Sequence, residues 1–247
     1  MPARWVGAAN YHALASVEFW DVVTNTVKYS VGVVMLSQVL GLALAVLLNE
    51  RTRVGALLQA SIFSSYVVSW VAVSLLWIWL LDPQYGLVAW LFRLVGLPAV
   101  NWLGDHRLAL SSLVLVTVWK SVGYPMVIYL AGLQAIPGDL YEAAALDGAG
   151  GWQRFRHVTW PLLTPTTLFL LITLTITSFQ GFDIVKIMTQ GGPVASTVIY
   201  VYYIYEQAFQ YFKLGKASAA VVLFFVVIVA LTFAQWLTFR RRVHYPT

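Results

Sequence analysis

Five long hydrophobic runs alternate with short polar stretches along this chain. They cover residues 27–48, 62–81, 108–133, 162–180 and 217–239. Each run is close to the ~20 residues that a helix needs to cross a hydrocarbon core. Because hydrocarbon offers the backbone no hydrogen-bond partners, such segments cross it as helices. The pattern predicts an all-α polytopic membrane protein with about five spans.

The composition supports a membrane protein and removes several other classes. The 247 residues are 60% hydrophobic and only 10% charged, too few charges to cover the surface of a soluble domain. The net charge is +5, and no basic run is interleaved with aromatic residues, so we expect lipid and not nucleic acid as a partner. With no cysteine, thiolate metal sites and cysteine catalysis are excluded.

The density of basic residues at the ends of the runs orients the chain. Arg51, Arg53, Arg154, Arg156 and the tail 240–247 would all lie in the cytoplasm. We therefore expect one transmembrane domain over residues 1–247, with an external connector at 1–26, a core at 27–239 and a cytoplasmic loop at 137–161.

Two external stretches also carry structural signals. Turn residues at 82–86 precede a mixed apolar helix at 87–97, which we expect to lie on the membrane surface. The Gly191-Gly192-Pro193 segment predicts a turn before the aromatic-rich residues 199–212, which we interpret as a hairpin at the interface.

The loop 137–161 begins with the pattern of a short capped helix. Asp139 is a favourable N-cap residue, and Glu142 three positions later completes a capping-box pattern. Residues 143–146 are strong helix formers. The pattern predicts a short helix that Asp139 caps at its N-terminus.

Glycines and a proline organise the second half of the loop. Gly148, Gly150 and Gly151 should break the first helix and allow positive φ. A second short amphipathic helix follows at 152–158, and Pro161 stands where the first turn of the fourth span tolerates proline.

This loop resembles the EAA loop of the inner-membrane permease subunits of binding-protein-dependent ABC importers. We call residues 137–161 the EAA-type loop. The matching residues are Glu142, Ala143, Ala144, Asp147, Gly148, Ala149, Phe155 and Pro161, followed by Leu162, Leu163 and Pro165. Other stretches resemble the sugar-type branch of that family: Asn25-Thr26, Gly123-Tyr124, and residues 131–137, 189–193 and 205–209.

The resemblance implies a transport subunit and not an enzyme. It implies a heterodimer with a second permease, a cytoplasmic ABC ATPase dimer that receives the EAA-type loop, and an extracytoplasmic solute-binding protein. ATP and Mg would bind the ATPase, and no cofactor would bind this chain, whose sequence has no G-x-x-x-x-G-K-[ST] motif. Family members usually have one more span than this chain, so we expect the family's first span to be missing here.

Polar and aromatic residues within or beside the spans are candidates for the solute pathway. They are Trp119, Lys120, Tyr124, Gln180 and Asp183. A charge inside a span usually faces a cavity or a partner, so Lys120 could pair with Asp183; alternatively, it could extend its ammonium group to the interface.

Other functions have less support in the sequence. The four histidines are scattered and form no H-E-x-x-H motif, so we expect neither catalytic residues nor a metal site. A channel would not need the long EAA-type loop. Within the transporter class, a phosphorylated polyol, a polyamine or a peptide remains an alternative solute to a carbohydrate.

Overall fold

The computed structural model describes residues 5–50 and 52–239, and these residues form helices without any strand. The first seven helices are α1 Ala9–His12, α2 Val17–Leu47, α3 Arg53–Val67, α4 Trp70–Leu80, α5 Leu87–Leu94, α6 Ala109–Ser121 and α7 Gly123–Gln134. The others are α8 Gly138–Leu146, α9 Gly151–Arg154, α10 Trp160–Leu162, α11 Thr164–Ser178, α12 Phe182–Met188, α13 Tyr200–Tyr205 and α14 Leu214–Phe239. A π-helical turn at Phe155–Thr159 joins α9 to α10, and another at Glu206–Gln210 follows α13. The all-α prediction is confirmed.

The described residues contain up to five segments that could cross a membrane. By length and hydropathy, α2 and α14 each qualify alone. Three helix pairs qualify when each is counted as one bent span: α3 with α4, α6 with α7, and the helical segment 151–162 with α11. The five predicted hydrophobic runs therefore correspond to these five segments.

The second predicted span is not one helix. The chain leaves helical geometry at Val68 and Ser69, whose ψ angles are 142° and 141°, and then starts α4. Neither proline nor glycine occurs at this break, so the local sequence gave no signal for it. The third run also breaks, at Val122, where Pro125 in the following turn cannot donate a backbone hydrogen bond to Ser121.

Helix α11 of the fourth span begins at Thr164, two residues after the predicted Leu162. Pro161 lies inside α10, and Pro165 removes the amide that would donate to the Pro161 carbonyl. The Thr164 hydroxyl donates to that carbonyl at 2.6 Å, so the bend leaves it with a partner.

The first long helix starts ten residues earlier than predicted. Residues 1–26, predicted as a connector, contain α1 and the first turns of α2. The arginines Arg51, Arg240, Arg241 and Arg242, which were used to orient the chain, lie outside the described residues.

The described residues divide into two compact units. Unit 1 contains residues up to Val33 with Ser69–Thr117 and Ile176–Ala230, and unit 2 contains Val34–Val68, Val118–Thr175 and residues from Leu231. In unit 1, α4 packs against α12, which buries Ile184 and Val185. The buried Tyr29 shares a 2.8 Å hydrogen bond with Thr117.

Unit 2 is built around the buried face of α7. Met126, Tyr129 and Leu130 pack with Leu163 and Leu170 in its apolar core. Helix α3 packs on α7 at Gly123, where an added Cβ would lie 2.8 Å from the Phe63 Cα and 2.9 Å from the Ile62 carbonyl oxygen. Only a residue without a side chain permits this approach.

The external stretches match the prediction in part. Helix α5 confirms the helix predicted at 87–97, although it ends at Leu94. The turn before it is stabilised by Asp82, which accepts the Gln84 and Tyr85 amides; these bonds hold the pKa of its carboxyl below the usual value. Residues 200–210 form a single helical segment and not a hairpin.

Replacing Gly123 with alanine tests the contact between α3 and α7. We expect Gly123→Ala to destabilise the protein by about 1–3 kcal/mol, because the new methyl group meets backbone that cannot rotate away. Thermal unfolding of the purified protein measures this. Gly138→Ala is the control, since its methyl group would have no atom within 4 Å. Equal melting temperatures for the two variants would contradict the close packing.

Candidate functional site: the EAA-type loop

Helix α8 begins differently from the prediction. It starts at Gly138, after Pro137 in extended geometry, and no side chain caps it. Asp139 therefore lies inside the first turn, and the predicted capping box between Asp139 and Glu142 is wrong. The Asp139 carboxylate still lies near the positive end of the helix dipole, where negative charge is stabilising.

The end of α8 is formed by Gly148. Its φ is +77°, a left-handed conformation that glycine adopts without steric cost. The Gly148 and Ala149 amides donate back to the carbonyls of Ala145 and Ala144 at 3.0 and 2.9 Å. These bonds satisfy the last turn of the helix in the manner of a Schellman motif. The predicted break at Gly148 is confirmed, whereas Gly150 has an ordinary φ of −69°.

The second half of the loop is a continuous helical segment over residues 151–162. The Gln153 side chain accepts the Gly150 amide at 2.8 Å and fixes its start. Trp152 stacks on Phe155 with ring centroids 5.6 Å apart. The segment is joined to α8 by a 2.9 Å hydrogen bond between the Tyr141 and Thr159 hydroxyls. The two halves of the loop are thus fixed to each other.

Two depressions accompany this arrangement. A cavity of about 280 Å³ lies beneath α8 and is lined by Val46, Asn49, Leu133, Tyr141, Gly151, Arg154, Phe155 and Thr159. A groove of about 360 Å³ is lined by Ala144, Asp147, Gly148, Ala149, Gln153, Arg154, His157 and Val158. Four of the residues that match the EAA pattern, Ala144, Asp147, Gly148 and Ala149, therefore share one concave surface.

The outer surface of α8 is uncovered. None of its residues is buried, and Glu142 and Ala143 are exposed. Leu146 is 90% exposed and lies one turn from Glu142, and Trp152 is 71% exposed. Sequence reasoning missed Leu146 and Trp152, although large apolar side chains in an otherwise polar loop are a signal for a contact surface.

A comparison with known families identifies the chain. The sequence profile of the family described as "Binding-protein-dependent transport system inner membrane component" matches residues 37–244. This chain belongs to that family. The match includes the whole EAA-type loop, so the family resemblance recognised in the sequence is confirmed.

Relatives of this permease are named as carriers of several solutes. This chain is 38% identical to the trehalose/maltose transport system permease protein MalF of Thermococcus litoralis, over 92% of this chain and 77% of that protein. It is 34% identical to the sn-glycerol-3-phosphate transport system permease protein UgpA of Agrobacterium fabrum, over 99% of this chain and 84% of that one.

A solved structure has the same fold. A chain from the crystal structure of a bacterial ABC transporter involved in the import of the acidic polysaccharide alginate superposes on this permease with a TM-score of 0.88. The two chains are 25% identical, and the superposition covers 96% of this chain and 84% of the other.

The pathway candidates are divided between the two units. Trp119, Lys120 and Tyr124 belong to unit 2, where Lys120 is buried and Tyr124 stacks on Tyr66. Gln180 and Asp183 belong to unit 1 and are exposed. The pairing of Lys120 with Asp183 and the contact of these residues with solute stay predictions. Within the described residues, no three His, Asp or Glu side chains group as a metal site would require.

A glycine substitution tests the geometry of the loop. We expect Gly148→Ala to cost about 1–2 kcal/mol locally, because its φ of +77° is unfavourable for a residue with a Cβ. The amide of Ala149, which bonds to Ala144, should then exchange hydrogen faster than in the unmodified protein. Hydrogen-exchange mass spectrometry measures this protection. Gly150→Ala, at a φ of −69°, is the matched control and should not change it. Equal exchange in all three proteins would refute the left-handed turn.

Proposed function

We propose that this chain is a transmembrane subunit of an ATP-driven importer and forms half of the translocation pathway for a carbohydrate. A second permease subunit forms the other half, and an extracytoplasmic solute-binding protein delivers the solute. A cytoplasmic ABC ATPase dimer binds ATP and Mg, and this chain binds no cofactor itself. The observation that carries the proposal is that no residue of α8 is buried while Tyr141 bonds the helix to the segment 151–162.

The loop has the properties of a mechanical coupling element. Its outer surface offers a carboxylate at Glu142 and an apolar side chain at Leu146 to a groove on the ATPase. Its inner side is tied to the helical segment 151–162 through Tyr141. Because α7 ends at Gln134, only three residues before α8, a push on α8 reaches the core of unit 2 directly. Packed elements of this kind switch between discrete arrangements.

The relatives support a carbohydrate as the solute. The trehalose/maltose relative and the sulfoquinovosyl glycerol permease protein SmoG of Agrobacterium fabrum, 34% identical over 94% of this chain, both carry sugar-containing names. The alginate transporter with the matching fold is consistent with that class.

A phosphorylated polyol is the second candidate. Its support is the set of sn-glycerol-3-phosphate permeases that are 34% identical over 99% of this chain. Reconstituted complexes distinguish the two solutes. Candidate binding proteins loaded with trehalose should stimulate ATP hydrolysis if the solute is a carbohydrate. Stimulation by glycerol 3-phosphate and not by sugars would favour the polyol.

Substitutions on α8 test the docking surface. In a complex assembled with candidate permease and ATPase partners, Glu142→Lys and Leu146→Glu should each weaken co-purification of the ATPase by about tenfold or more, as for a central interface contact. Both side chains are exposed, so the permease itself should keep its melting temperature.

Asp21→Lys provides the control for charge reversal, since Asp21 is an exposed carboxylate on α2 outside the loop. It should leave co-purification unchanged. Retention of the ATPase by both α8 variants, at normal expression, would exclude α8 as the docking helix.

A further inference from the structure

The last turn of α3 needs hydrogen-bond donors from elsewhere. The helix ends at Val67, and Val68 continues in extended geometry with φ −64° and ψ 142°. The final carbonyls of a helix have no amide partners within it. In a span, water does not replace those partners, so the carbonyls of Ser65 and Tyr66 require protein donors.

Lys120 supplies such donors from α6. Its side chain is only 3% exposed, and its Nζ lies 2.9 Å from the Tyr66 carbonyl oxygen and 3.4 Å from that of Ser65. The same ammonium lies 5.5 Å from the centre of the Tyr66 ring. A cation at this position also stabilises the negative end of the α3 dipole. The break between α3 and α4 thus depends on a residue more than fifty positions away.

A second bond runs in the opposite direction. The Ser65 hydroxyl lies 3.1 Å from the Lys120 carbonyl and 3.3 Å from the Trp119 carbonyl, besides the Ile62 carbonyl of its own helix at 2.9 Å. Its single proton is shared among these acceptors. Each helix end therefore donates to the other.

Two apolar contacts extend the junction to α7. Gly123 lies against the backbone of α3, and Tyr124 stacks on Tyr66 with centroids 5.4 Å apart and planes inclined by 20°. All these residues belong to unit 2. Helix α7 leads directly to α8, so the junction lies on the path from the EAA-type loop to α3.

We propose that Lys120 is a positioning residue for transport: with Ser65 it clamps the last turn of α3 to the α6–α7 junction, so that α3 follows the movement of α8. This inference rests on the proposed function. Because the Lys120 ammonium bonds to carbonyls of α3, Lys120 influences the solute pathway through the position of α3. Without the clamp, α3 and α7 would meet only through apolar packing and could slide on movement of the loop.

Distance measurement between α3 and α7 tests the clamp. The chain has no cysteine, so Leu58→Cys and Val127→Cys, both exposed, create two unique spin-label sites. In the complex assembled with candidate partners, double electron–electron resonance spectroscopy should give one narrow distribution of the distance between the two labels. This distribution should be the same in the nucleotide-free and vanadate-trapped states. Lys120→Met should broaden or shift it in the trapped state.

The rate of ATP hydrolysis by the complex distinguishes a positioning role of Lys120 from a general structural role. In Lys120→Met, hydrolysis stimulated by the binding protein should fall at least about fivefold, the lower end of usual coupling between sites, with basal hydrolysis unchanged. Lys120→Arg should restore it, because a guanidinium can donate to the same carbonyls. Lys28→Met, which removes an exposed lysine from α2, should have no effect.

If the Lys120→Met variant does not assemble with its partners, Ser65→Ala takes its place in the distance measurement. It removes the hydroxyl bonds to the Ile62, Trp119 and Lys120 carbonyls but keeps the Lys120 ammonium contacts, and it should broaden the same distances to a smaller extent. Unchanged distances and stimulation in Lys120→Met, or a loss of solute affinity with unchanged distances, would overturn the proposal.

Failure of the proposed function would appear differently, as absent stimulation in the unmodified complex, while the distance measurement would still report on the clamp.

Discussion

Backbone hydrogen bonding in a medium without water is the constraint on which this structure depends. Each unpaired amide or carbonyl in hydrocarbon costs roughly several kcal/mol, yet three of the five candidate spans in the described part of the chain are interrupted by a bend. The interruptions are tolerated where side chains replace the missing partners. Lys120 does so for the end of α3, and Thr164 does so for the carbonyl that Pro165 leaves without an amide. The bends are therefore specified features of the fold.

The EAA-type loop also depends on contacts from outside its short helix. Helix α8 has nine residues, fewer than an isolated helix needs to be stable in water. It is maintained by the left-handed turn at Gly148 and by the bond from Tyr141 to Thr159. Because these contacts use its ends and inner side, the surface bearing Glu142 and Leu146 stays available to another protein. A stable helix with an unburied surface is suited to receive force from a partner.

The sequence predicted most of the fold because its signals are local. Apolar run length gives the five segments, and the special backbone freedom of glycine gives the turn at Gly148. The break at Val68 and Ser69 could not be predicted in this way, because the donor to the Tyr66 carbonyl at the end of α3 is Lys120, more than fifty positions away. The prediction of Asp139 as the cap is wrong because Pro137 takes the cap position two residues earlier. The exposure of Leu146 was also missed, since periodicity does not show which apolar residue lacks a partner.

Site-specific photo-cross-linking tests the central claim, that α8 is the contact with the ATPase. A photoreactive residue at Leu146 in the assembled complex should form an adduct with the ATPase subunit. The same residue at Leu94, an exposed position on α5, should form none. An intact complex that gives no ATPase adduct at Leu146, or gives one equally at Leu94, would contradict the account.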